Sequence, residues 1–191
     1  FWSTNVLDGK SWNTALHDGF FAKENTITVT ANEVDVTAAA AALVASTKSS
    51  AFELNLFTST ALGDGKQANN PWLQELPDPL TRASWDNYLT MSMPDARALG
   101  FENPVQDNGS INGNYANVTV NGVAINNIPV MIQPGQAKGS VGIALGYGRK
   151  LGLKEEMQVG VNAYPFMLNG NNVQYNVSIE KTAGTHKFAC T

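Results

Sequence analysis

Cysteine is nearly absent: Cys190 stands alone in 191 residues, so no disulfide framework can form within the chain, and no CxxC spacing is there to hold zinc or an iron–sulfur cluster. Cys190 itself reads as a small apolar side chain near the end of the sequence. Charge is sparse too. Lys, Arg, Asp and Glu make up 15% of the residues, against roughly 25% in ordinary soluble domains. The net charge is −4 without any Lys/Arg cluster, which excludes the concentrated positive field that a phosphate backbone requires. No nucleic-acid partner is expected. Long hydrophobic runs are missing as well: the longest, Ala38 to Ala45, falls short of the roughly 18 apolar residues of a membrane span. Histidine is limited to His17 and His186, with no carboxylate or cysteine at metal-ligand spacing, which argues against a metal site or a Ser-His-Asp triad. There is no initiating Met and no signal-like start, and the sequence stops directly after the strand-like run His186 to Cys190, so both ends are expected to be cuts in a longer chain.

What is present is Asn, Gly, Ser and Thr, with 43% hydrophobic residues, the balance of a turn-rich β protein of one domain plus an appendage. Ser11 caps an expected helix over SWNTALH that Gly19 stops. TITVT, Thr26 to Thr30, alternates as a short strand, and Asp35 or Thr37 caps an Ala-rich helix to about Ser46. AFELNLFTS, Ala51 to Ser59, places Phe52, Leu54 and Leu56 on one face of a strand. The stretch Ala61 to Ser84 holds Pro71, Pro77 and Pro79 and is expected as a loop, with one helical turn over PWLQEL behind an Asn70 cap. Asn87 to Ser92 is a strand, and Ser92, Pro94, Asp95 and Gly100 frame a short helix over MPDARALG. YANVTVNGVAINNIPVMIQPG is a hairpin turning at Asn121-Gly122, and SVGIALGYG and VQYNVSIEK supply one strand each. From Phe52 onward this makes about six strands with short helices between them, the pattern of a barrel.

Particular residues say more than periodicity does. Asp95, Ala96, Leu99 and Gly100 match a D-A-x-x-L-G-[IL] helix, with Phe101 as the apolar residue at its last position, flanked by ANNPWLQELPDPLTRASWDNY and PGQAKGSVGIALGYGRKLG. In this combination the chain resembles the C-terminal, molybdopterin-dinucleotide-binding domain of molybdopterin oxidoreductases, and within that family the large iron–sulfur subunit of alternative complex III, a bacterial quinol-oxidising respiratory assembly. The resemblance implies a double-psi β-barrel over residues 50–191, preceded by the tail of an α/β domain over 1–49. It implies a fragment of an electron-transfer subunit that acts as a scaffold without cofactor, with iron–sulfur clusters outside the fragment. Its partners would be other domains of the same polypeptide and subunits of a membrane complex. The full-length protein would lie on the periplasmic face of the bacterial cytoplasmic membrane.

A cofactor-binding relative implies something different: molybdopterin guanine dinucleotide held by Thr58, Asn69, Asn70, Trp72, Gln74, Gly146, Tyr147, Gly148 and Arg149. Against this, such relatives commonly carry an Arg two residues after the Thr that ends the first strand. Here that position is Thr60, which offers a phosphate no bidentate partner. Gly142, Gly146 and Gly148 do not match G-x-G-x-x-G, so they also read as sites of tight bending and close strand approach. Trp72 reads equally as a core plug or an interface anchor, Asp95 as a partner of the helix dipole, and Glu75 with Arg82 as a local solvated pair.

Overall fold

The computed structural model describes residues 1–23, 35–46 and 51–190. The chain forms two compact units, Phe1–Ala39 and Ala40–Thr191. In the first, helices α1 (Trp2–Asn5) and α2 (Trp12–Asp18) bring the rings of Trp2 and Trp12 to 5.6 Å, and Lys23 pairs with Asp8 at 3.1 Å. Ser11 precedes α2 in extended conformation but makes no side-chain cap bond, while Gly19 ends the helix as expected. The strand expected at Thr26 to Thr30 lies outside the described residues. Helix α3 (Val36–Ser46) takes Asp35 as its cap, whose carboxylate accepts from the backbone N–H groups of Thr37 and Ala38. No described helix is long and apolar enough to cross a membrane.

The second unit is built on strands β1 (Glu53–Thr58), β2 (Ala83–Ser84), β3 (Leu89–Met91), β4 (Asn112–Val120), β5 (Val123–Ile132), β6 (Ser140–Leu145), β7 (Val173–Gln174), β8 (Val177–Lys187) and β9 (Ala189–Cys190), with helices α4 (Pro71–Glu75) and α5 (Met93–Leu99) between them. Seven strands form one mixed sheet in the order β7-β1-β6-β3-β5-β4-β8, and β2 pairs with β9 apart from it. β1 runs parallel to β6, and β3 parallel to β5; the other neighbours are antiparallel. Hydrogen bonding runs from β7 to β8, and no pairing among the described strands joins those two ends. The fold is therefore mainly β with short helices, an α+β arrangement.

Local chemistry explains the elements. Asn121 and Gly122 take φ of 46° and 86°, the double positive φ that a type I′ turn demands, and β4 and β5 fold back on each other there. Asn127 also has positive φ, at 57°, and its N–H donates to the Asn117 side chain across a register shift between Ala116 and Val118, a bulge that bends the hairpin. Ser92 caps α5 by accepting from Asp95 N, and Gly100 ends it.

Alternation then buries one face. Leu54 and Leu56 of β1, Leu89 and Met91 of β3, Val118 and Val120 of β4, Ile128 and Val130 of β5, Val141 and Ile143 of β6 and Val177 and Ile179 of β8 belong to one core, with Ala96, Phe101 and Phe166. A smaller core joins Ala83, Tyr88, Met131 and Phe188.

Two expectations need correction. The described strands number nine, not about six, because the two-residue β2 is too brief to show alternation, VQYNVSIEK divides into β7 and β8, and the strand-like run at His186 to Cys190 supplies the end of β8 and a separate β9. VQYNVSIEK is not one strand: Asn176 sits at φ 58°, a left-handed residue that breaks the run into β7 and β8.

Candidate functional site

The residues singled out in the sequence fall into two groups. Gln74, Gly146, Tyr147, Gly148 and Arg149 come together, with Leu62 and Ala68, around a packed junction that leaves no room for a water molecule. Gln74 is buried, and its amide donates to Ala68 O at 2.8 Å. The loop 59–70 crosses the turn after β6 so closely that a Cβ on Gly65 would stand 2.7 Å from Gly146 Cα, and one on Gly146 would stand 2.9 Å from Gly65 N. Only glycine permits that approach. Arg149 is exposed and donates from Nε to Leu151 O. Of the other group, Thr58 and Asn69 are exposed, and Asn70 caps α4 by accepting from Trp72 N. Trp72 is 80% exposed, which removes the core-plug reading. Glu75 and Arg82 form no ion pair among the described residues; Arg82 is instead a positive-φ turn residue whose N–H donates to Asp78 O.

Asp95 does more than face a helix dipole. Buried at the start of α5, it accepts from Ser92 Oγ at 2.6 Å and from Gly139 N at 2.7 Å, so it pins the turn before β6 onto the helix.

A polar cluster that sequence reasoning missed lies at β3 and the segment before it. His186 Nε2 sits 2.8 Å from Asp86 Oδ2, and His186 Nδ1 sits 3.2 Å from the Tyr115 hydroxyl. Asp86 also accepts from Gly160 N. Next to it, Asn87 is 1% exposed; its amide donates to Ala144 O and Val161 O, and its carbonyl accepts from Val161 N. Tyr88 and Tyr147 line a small enclosed space with Phe57, Ser59, Asp78 and Asp86. Burial pushes the Tyr88 phenol up, partly offset by its hydrogen bond with Thr81. Burial likewise raises Tyr147, with a bond to Ser59 lowering it and Asp78 and Asp86 raising it further. Burial also pushes the Cys190 thiol up. Asp86 and His186 are a hundred positions apart, beyond any motif, and no local pattern marks either of them.

Chemically, the cluster is a closed set of satisfied hydrogen bonds that fastens loop to sheet. Among the described residues, no group of three or more His, Cys, Asp or Glu side chains is placed to hold a metal ion. No protein-family model matches the chain, and no curated protein matches its sequence.

Proposed function

We propose that residues 51–190 are a molybdopterin-dinucleotide-binding-like domain, a double-psi β-barrel in type, acting as a scaffold in a respiratory electron-transfer subunit of the alternative complex III kind. Support for the barrel comes from the core: inward residues at the two extremes of the sheet, Leu54 and Leu56 near one end and Val177 and Ile179 at the other, belong to a single apolar cluster, as a sheet that curls on itself requires.

The observation that carries the scaffold reading is the crossing of Gly65 over Gly146. A dinucleotide at Gly146 to Arg149 needs open space and a cation for its phosphates. The residues there do not fit it. Backbone fills the crossing, the packed junction beside it leaves no room even for a water molecule where an ordinary ligand pocket offers roughly 300–1,000 Å³, Thr60 is uncharged, and Arg149 is turned to Leu151 O.

The domain instead offers surfaces. Trp72, Leu80 and Leu151 are 80%, 75% and 88% exposed, and large exposed apolar side chains of this kind anchor interfaces. In this reading they meet other domains of the same polypeptide and subunits of the membrane complex. The complex lies on the periplasmic face of the bacterial cytoplasmic membrane, and its iron–sulfur clusters are carried elsewhere.

The test is the molybdenum and pterin content of the purified chain, by elemental mass spectrometry and by fluorescence of the oxidised pterin. Neither is expected above trace. One pterin guanine dinucleotide per chain would establish the cofactor-binding alternative, with Thr58, Asn69, Asn70, Trp72, Gln74 and Gly146 to Arg149 as its ligands.

A further inference from the structure

The outer face of the sheet carries an open cleft of about 400 Å³, within the size range of small-molecule sites. Its floor is one row across three strands, because Asn55 of β1 and Thr90 of β3 both pair with Gly142 of β6. Phe57, two residues beyond Asn55, lies on the same side. Gly142 keeps the floor level: a Cβ there would stand 2.9 Å from Thr90 Oγ1 and 3.2 Å from the Phe57 ring.

Two walls are fixed by hydrogen bonds. The Gln133 to Gln136 turn is held because the Gln136 amide donates to Thr90 O at 3.2 Å and Ser140 O at 2.7 Å. The Asp78 to Thr81 turn is held because Asp78 Oδ1 accepts from Leu80 N, Thr81 N and Thr81 Oγ1. The cleft is therefore shaped before any ligand arrives, which lowers the ordering cost of binding.

We infer that this cleft is a binding site for an uncharged, hydroxyl-rich ligand the size of a mono- or disaccharide. Phe57, 37% exposed, gives an apolar ring on which the C–H face of a sugar packs. The side chains of Asn55, Gln133 and Ser140 line the cleft and have no hydrogen-bond partner among the described residues. Two amides and a hydroxyl present donors and acceptors together, and a ligand hydroxyl, itself one donor and two acceptors, satisfies either kind. Charge selects against anions. Asp78 is the one charged residue among the described residues that line the cleft, so a bound phosphate or carboxylate would face a carboxylate with no cationic side chain in the lining to offset it. A cation would meet this carboxylate alone, one oxygen of which already takes three donors.

The experiment titrates the full chain with glucose, galactose, N-acetylglucosamine and maltose, and in parallel with glucuronate, glucose 6-phosphate and glucosamine. The readouts are saturation-transfer NMR and the side-chain amide signals of Asn55 and Gln133. At least one neutral sugar is expected to shift those amides along a saturable curve while its charged counterparts do not. Phe57→Ala and the exposed Asn55→Ala should each weaken binding, the first by roughly tenfold or more; a folded Asn55→Ala protein keeps the test open should Phe57→Ala misfold. The inference falls if no neutral sugar moves the two amides, if the charged sugars bind as well, or if the shifts map elsewhere.

Discussion

Asn87 shows how one buried amide holds a connection that periodicity does not reveal. Its three hydrogen bonds reach Ala144 at the end of β6 and Val161 in the segment beyond it. Asn87→Ala removes all three and leaves Val161 N–H without its acceptor, at a cost of about 1–3 kcal/mol for each buried group left unpaired. A fall of about 3 kcal/mol in urea unfolding is expected, while Asn69→Ala, at an exposed residue, should change stability by less than about 0.5 kcal/mol. Tyr88 gives the pH dependence. Its folded phenol titrates above its ordinary value near 10, so at alkaline pH the unfolded chain releases this proton before the folded one does. The contribution is whole below about pH 10 and is lost as pH rises from there toward the folded value. Tyr88→Phe should be less stable at neutral pH by about 1 kcal/mol, for its lost bond to Thr81, yet its stability should decline less steeply above pH 10. Parallel alkaline limbs in the two proteins would sink this.

At the scale of elements, what could be read in advance is what local chemistry specifies. The α5 cap at Ser92, the Asn70 cap of α4, the Asn121-Gly122 turn and the alternation of Leu54 with Leu56 each depend on neighbours in sequence, and each is found where it was expected. What depends on distant partners was not legible. β2 and β9 exist because Ala83 meets Cys190 and Ser84 meets Ala189, and no two-residue run announces itself. The same holds for the candidate site: Gly146, Tyr147, Gly148 and Arg149 were picked out as a group, but their crossing partner Gly65 and the contact of Asp86 with His186 are set only by the fold. The crossing carries its own prediction. Gly146 has φ +92°, and a Cβ there would stand 2.9 Å from Gly65 N and 3.0 Å from Gly63 O, so Gly146→Ala meets both a left-handed backbone, costing about 1–2 kcal/mol, and a collision with main chain that cannot swing aside. A loss above about 2 kcal/mol is expected by thermal unfolding, and an unchanged Tm would show that the two segments are not packed as described.

For the molecule as a whole, the last of the described strands, β9, packs through Cys190 against the second core and not the first. Phe188, 2% exposed, packs edge-on against Tyr88 at 5.6 Å and sits with Ala83 and Met131, while its N–H donates to Ile111 O. Around it, β9 pairs with β2, and His186 holds Asp86 and Tyr115. This smaller core closes one margin of the fold, and the larger core needs none of its members. Phe188→Ala should therefore cost about 3 kcal/mol as a large-to-small change, and the cost should be felt unevenly. In hydrogen exchange, the amides of Cys190, Phe188 and Ala83, released together, should lose protection first. Those of Leu54, Val130 and Ile143, in the large core, should keep theirs relative to the variant's global stability. Equal loss of protection at both sets would mean that the two clusters open as one unit, and that the margin carrying His186 is not a separable part of the fold.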